Sequence, residues 1–258
     1  MGIESFNMDF FRLDGKNAIV TGGNTGLGRA FSLALAKAGA NVFIPSLVDD
    51  TSIKDLIEAE GVRAEFMVVD LTEEGAPERI VQACVDAFGS VDILVNSAGV
   101  CKNVKDVLKF GRQEWDLMVN VNLTAAFEMA LACARRMIPQ GSGKIINICS
   151  LFSFLGGQWS PAYAATKHGL AGFTKAYCDE LAQFGIQVNG LAPGYFATEI
   201  TAQTRKDPEA NRRVLEHIPA GRWGEPLDLM GALVFLASKA SDYMNGHILV
   251  VDGGYLVR

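Results

Sequence analysis

An α/β fold, one parallel sheet covered by helices on both faces, is what this sequence predicts. Two observations carry that prediction. Short runs of apolar, mostly β-branched residues alternate with longer stretches of helical period from one end of the chain to the other. Those runs are apolar at consecutive positions, as strands buried on both faces must be. A third observation sets the domain count. No linker rich in Pro, Gly or Ser and no shift in composition divides the chain, so residues 1–258 read as one domain.

The first strand is 17–21 (NAIVT), and a glycine-rich turn follows at 22–28. Residues 27–39 then carry helical spacing, with Gly39 as the stop signal. NVFIP (41–45) is the second strand, 52–60 a helix closed by Gly61, and AEFMVVD (64–70) the third strand. Residues 77–89 form a helix with Pro77 in the first turn, where a missing N–H costs nothing. VDILVN (91–96) is the fourth strand, and 112–138 reads as one long helix ending before Pro139. GKIINICS (143–150) is the fifth strand, 161–184 a second long helix, IQVNGLAP (186–193) the sixth strand and HILVVDG (247–253) the seventh. The polar, charged stretch 195–219 breaks the alternation just after a strand, where α/β sheets place their ligands. It is expected to be a mobile lid.

Composition narrows the function classes. The chain is 49% apolar, too much for disorder, and its net charge of −6 without a basic run argues against nucleic acid as a partner. Five cysteines with no CxxC pair, and three histidines, offer no metal-ligand spacing, so no metal is expected. Scattered thiols suit a reducing cytoplasm. No apolar run approaches the ~18 residues of a membrane span, and the first residues (MGIESFNMDFFRLDGK) lack the basic head and apolar centre of a signal peptide.

The turn Thr21-Gly22-Gly23-Asn24-Thr25-Gly26-Leu27-Gly28 follows a buried strand and opens a helix. Gly22 permits a tight turn, Gly26 and Gly28 let backbone approach a pyrophosphate, and the helix start supplies N–H groups without partners. The spacing is one residue longer than the usual GxGxxG. A dinucleotide is the expected ligand. The second strand ends Ile44-Pro45-Ser46-Leu47, with Asp49 and Asp50 following and no Arg or Lys at its end. Thr25 stands where a base would help hold a 2′-phosphate. NAD is therefore expected over NADP, with Ser46 in the place of the usual ribose-binding Asp.

Tyr163 and Lys167 stand four apart on a helical segment, hence on one face. A phenol titrates near ~10, and an ammonium one turn away is expected to lower it into a useful range. Ser150 closes the fifth strand and can hydrogen-bond a reacting oxygen.

With these residues in place, the chain resembles the short-chain dehydrogenase/reductase family. TGGNTGLG (21–28), NSAG (96–99), VNL (121–123), Ser150, YAATK (163–167) and PG (193–194) fall in the family's order and spacing. The resemblance implies a Rossmann-type three-layer sandwich with a seven-stranded parallel sheet, in a homotetramer. It implies that Tyr163 is the catalytic acid/base, Ser150 its hydrogen-bond partner, Lys167 the holder of the nicotinamide ribose and Asn122 part of a proton relay. Cofactor contacts are expected from Gly22, Asn24, Thr25, Gly26, Leu27, Gly28, Ser46, Asp70, Leu71, Asn96, Ala98 and Gly99. Tyr163, Lys167, Pro193, Gly194, Phe196 and Thr198 complete that set, with Ile145 backing the cleft. Ser97 departs from the family, which commonly has Asn there.

Within the family, the C-terminal run from Ile218 and the segment KIINICSLFSFLGG (144–157) resemble dehydrogenases of sugar acids of the gluconate type. A carboxylate needs a cation, so Lys102 and Arg205 are expected at the substrate, with Arg212 and Arg213 also on the lid. Gln158, Ser150 and Tyr163 would meet hydroxyls. His168 reads as a satisfied helix histidine, and Trp159 and Trp223 as packing residues. An oxidoreductase acting on a sugar acid is the expectation. A 3-oxoacyl thioester or other ketone is the alternative substrate, and a non-catalytic nicotinamide sensor is a third reading.

Overall fold

The computed structural model describes residues 2–157 and 159–258. Its strands are β1 (Asn17–Val20), β2 (Asn41–Ser46), β3 (Ala64–Val68), β4 (Ile93–Asn96), β5 (Gly143–Ile148), β6 (Ile186–Pro193) and β7 (Ile248–Val251). They form one sheet in the order β3-β2-β1-β4-β5-β6-β7, with every neighbouring pair parallel. The helices are α1 (Gly26–Lys37), α2 (Ile53–Glu58), α3 (Ala76–Phe88), α4 (Arg112–Val119), α5 (Ala125–Gln140), α6 (Pro161–Leu181), α7 (Ala202–Lys206), α8 (Pro208–His217) and α9 (Pro226–Ala237).

Strand period explains the layers. Ala18, Val20, Ile93, Val95, Ile146 and Ile148 face a core filled by Phe31 and Leu35 of α1 and by Leu229, Leu233 and Leu236 of α9. Their neighbours Ile19, Leu94 and Ile145 point the other way, onto Ile80 and Cys84 of α3 and Met129, Cys133 and Met137 of α5. Three layers result, as expected. Pro45 is tolerated inside β2 because Val42 N donates toward β3, so by the two-residue period the Pro45 nitrogen faces β1. The β1 register has already ended there, at Ile19 opposite Phe43.

Chain order reverses at β1, which lies between β2 and β4, and the crevice at such a reversal is where open α/β sheets bind ligands. It brings the turn after β1 against the turn after β4.

Three elements differ from expectation. The long helix at 112–138 is interrupted by a π turn at Asn120–Thr124 and runs on through Pro139 to Gln140, where Gly141 in a left-handed conformation ends it. No uninterrupted apolar run of membrane-spanning length is present, as expected, although Arg112–Gln140 holds an 18-residue window of mean hydropathy 1.5, apolar enough on average to cross a membrane. Half of that window is buried against the sheet, the position of a core helix. Helix α9 was not foreseen, because it is apolar all round and shows no helical period. The stretch 195–219 contains a short 3-10 turn, α7 and α8, the last capped by the Asp207 carboxylate.

Candidate active site

The glycine turn is shaped by backbone needs. Gly22 (φ 63°) and Gly26 (φ 50°) are left-handed, and a Cβ on Gly28 would collide with the Gly22 carbonyl oxygen. The Thr21 hydroxyl accepts from the amides of Ser97 and Ala98, at 3.0 Å each, and so ties the turn after β1 to the turn after β4. Buried Asn24 donates from Nδ2 to the carbonyls of Val48 (2.7 Å) and Asp50 (3.0 Å), fixing the loop after β2.

These residues fit a dinucleotide. Thr25 and Gly26 are exposed at the start of α1, whose first-turn amides have no carbonyl within the helix to bond. Asn24 Oδ1 is buried without a partner, an acceptor suited to a ribose hydroxyl or an ordered water. At the end of β2, buried Ser46 accepts from Val48 N at 3.2 Å. Arg29 Nη1 donates to Ser52 Oγ at 3.0 Å, so a cation absent from the strand's end reaches this loop from α1. Hydrogen bonds from Ser52 hold the Asp50 carboxyl below its usual range, and Arg29 adds to that. Asp70 Oδ1 accepts from the Thr72 amide and hydroxyl, and Leu71 is buried beside it.

Ser150, Tyr163 and Lys167 gather at the carboxyl end of β5. Ser150 Oγ accepts from Phe152 N at 3.2 Å, while Ser153 Oγ donates to the Lys167 carbonyl at 2.7 Å and links this turn to α6. Tyr163 meets the Phe152 ring edge-on at 5.9 Å. Buried Lys167 donates from Nζ to the Ile148 carbonyl at 2.7 Å and lies 5.6 Å from the Tyr163 ring centre. Gly99 leaves the approach open, since a Cβ there would lie 3.4 Å from Asn122 Oδ1 and 3.9 Å from Lys167 Nζ.

The expected acidification of Tyr163 by Lys167 is not seen in the protein alone. Burial raises the Tyr163 phenol above its ordinary value, and the Ser150 hydroxyl opposes this only in part. Burial also lowers the Lys167 ammonium, which is bonded to a carbonyl and not to the phenol. In the protein alone, desolvation outweighs the charge that was expected to acidify the tyrosine.

The remaining expected residues sit in varied surroundings. Asn96 is buried under the cleft, donating to Ala126 O (3.0 Å) and Asn147 Oδ1 (2.9 Å), so it supports the floor and does not open into it. Ile145 is core, facing α5, because its strand parity points it away from the crevice. Phe196 is also core: its buried ring lies against Gly224, where a Cβ would meet it at 2.6 Å. Pro193 and Gly194 run past β7, where Gly194 N donates to Val251 O, and Thr198 begins the 3-10 turn. Asn122 sits in the π turn and grips the Val100 backbone from both sides, accepting at 2.7 Å and donating at 2.8 Å. Arg205 donates to the Thr198 carbonyl, Arg212 pairs with Glu216, and Arg213 is exposed. Lys102 and His168 are exposed, His168 bonded to Ala164 O as expected. Gln158 lies outside the described residues. Trp223 packs edge-on to Tyr195, as expected, and Trp159 is 39% exposed. Lys105, 5.5 Å from the Trp159 ring centre, was missed, because nothing in local spacing links residues so far apart in sequence.

Comparison with known proteins agrees with this geometry. The sequence family described as enoyl-(acyl carrier protein) reductase matches residues 22–256. The chain is 68% identical, over the full length of both proteins, to YgcW of Escherichia coli K12, named only as an oxidoreductase. It is 45% identical to the 2-dehydro-3-deoxy-D-gluconate 5-dehydrogenase of the same organism, over 96% of this chain and 98% of that one. A crystal structure of gluconate 5-dehydrogenase from Burkholderia cenocepacia, in complex with NADP and tartrate, superposes with a TM-score of 0.92 at 40% identity, covering 97% of this chain and 98% of that one.

Proposed function

The chain belongs to the short-chain dehydrogenase/reductase family, and on that premise we propose that it exchanges a hydride between a nicotinamide cofactor and a secondary alcohol or ketone of a gluconate-type sugar acid. The observation that carries the reading is the gathering of Ser150, Tyr163 and Lys167 beside Gly99. When bound, the cofactor supplies the hydride acceptor for an alcohol or the hydride donor for a ketone. The turn at Gly22, Asn24, Thr25, Gly26, Leu27 and Gly28 would hold its pyrophosphate, with Ser46, Asp70 and Leu71 at the adenosine end and Ala98, Gly99, Lys167 and the 193–198 backbone at the other.

The residues divide the proton work. Ser150 Oγ accepts from Phe152 N, and its O–H, directed at the Tyr163 phenol in the protein alone, would turn to the substrate oxygen when one is bound. Tyr163 keeps its proton on Oη near neutrality because burial raises its pKa, which suits it to protonate an alkoxide formed from a ketone. Running in reverse, it must first lose that proton, and the Lys167 ammonium stabilises the phenolate. Asn122, anchored on Val100 and reaching Thr166 Oγ1, would order a proton path behind Lys167.

NAD is the proposed cofactor, because Asp49, Asp50 and two inward carbonyls surround the loop after β2. NADP is the second reading, favoured by Arg29 on that loop and by the NADP bound to the Burkholderia relative. An acyl-thioester substrate draws support from the exposed Phe154, Leu155 and Ile200, but the charged lid fits a sugar acid better. A homotetramer and a lid at 195–219 belong to the same proposal. The test is a panel of D-gluconate, 2-deoxy-D-gluconate, 2-dehydro-3-deoxy-D-gluconate and acetoacetyl thioester, each followed by NAD(P)H absorbance with both cofactors. Turnover of a sugar acid supports the reading; turnover of the thioester alone overturns it. If NADP is preferred, Arg29→Ala should lower kcat/KM for NADP at least tenfold and leave NAD unchanged.

A further inference from the structure

One turn ahead of Tyr163 the backbone takes a conformation that tryptophan avoids. Trp159 has φ 67°, the single non-glycine residue with positive φ among the described residues, and for a bulky side chain this is a strained state. Strain of this kind persists where surrounding contacts impose it, most often at functional sites. Here the contacts come from the loop after β4. Val104 N donates to the Trp159 carbonyl at 2.8 Å. Ser160, at the N-cap of α6, does not cap its own helix; its hydroxyl donates across to the Lys102 carbonyl at 2.8 Å. Residues 101–106 are thereby latched to the start of the tyrosine helix, and Cys101 lies near enough to bear on the charges of both Tyr163 and Lys167.

The latch presents two side chains together. Lys105 Nζ sits 5.5 Å from the centre of the Trp159 ring, which stays 39% exposed. Lys105 pairs with no carboxylate among the described residues, whereas Lys109 is paired with Asp106, Arg212 with Glu216, and Arg205 is bonded to a carbonyl. An aromatic face beside an unneutralised ammonium suits a ligand with C–H groups at one end and a carboxylate at the other.

We propose that Trp159 and Lys105 determine substrate specificity, Lys105 pairing with the carboxylate of the sugar acid and Trp159 covering its carbon chain. The proposal rests on the functional reading above. Its test is steady-state kinetics of wild type, Lys105→Met and Trp159→Gly on D-gluconate, 2-deoxy-D-gluconate and 2-dehydro-3-deoxy-D-gluconate, with D-gluconamide as the uncharged counterpart. Lys105→Met should raise KM for the acid about tenfold or more, keep kcat within about twofold, and leave the amide unaffected. Trp159→Gly should raise KM for acid and amide alike without lowering Tm, because glycine adopts the left-handed state without strain. Tryptophan fluorescence should change on titration with D-gluconate in wild type and not in Trp159→Phe. An unmoved KM in Lys105→Met, or equal losses for acid and amide in that variant, overturns the subsite alone. A wild type inactive on all three acids overturns the functional reading and the subsite with it.

Discussion

At Tyr163 burial raises the phenol while a hydrogen bond from the Ser150 hydroxyl lowers it, and burial prevails. The sign sets a pH signature. With the phenol pKa raised, its ionised fraction is small at neutrality and grows about tenfold per pH unit below that pKa. Alcohol oxidation, which needs the phenolate, should therefore climb steadily from pH 7 to 9, whereas ketone reduction, which needs the phenol, should stay level. Initial rates in the two directions across that range check the prediction. The pair itself was legible in the sequence, since residues four apart on a helix must share a face. The direction of the shift was not, because burial beside residues such as Phe152, and the charge interaction with Cys101, arise only once the fold brings them alongside. The strained φ of Trp159 likewise leaves no trace in composition.

Among elements, the turn from β1 into α1 concentrates the most constraint. A methyl group at position 28 would collide with the Gly22 carbonyl, so Gly28→Ala must displace helix or turn. Overpacking of this kind costs about 1–3 kcal/mol, roughly 2–4 °C of Tm per kcal/mol in a chain of this size. Calorimetry should show that loss, together with a dinucleotide affinity at least tenfold weaker. The strands and most helices were legible because burial on both faces imposes consecutive apolar residues on β1, β4 and β5. Helix α9 was not, because helix-period patterning vanishes when apolar side chains surround the helix, although Pro226 and the Glu225–Asp228 capping pair mark its start. The π turn at Asn120–Thr124 inserts no residue that differs in kind from its helical neighbours, and so leaves no signal.

For the molecule as a whole, the crevice between the β1 and β4 turns joins both halves of the sheet, and a ligand bound there stabilises the folded state by mass action. Cofactor at one hundred times its Kd should add about 2.7 kcal/mol, raising Tm by roughly 5–11 °C. NAD should give the larger rise and NADP the smaller; the reverse order assigns the loop at Ser46–Ser52 to a 2′-phosphate. The parallel three-layer architecture was legible from alternation alone, while the site required the order of strands, which places residues from β1, β4 and β5 around one opening.

The most direct measurement is turnover and cofactor affinity of Tyr163→Phe beside the wild type, on the sugar acid that the wild type converts. The variant should bind NAD within about twofold of wild type, by fluorescence titration, and lose activity by about 10²–10⁴-fold. A variant that retains full turnover contradicts the account.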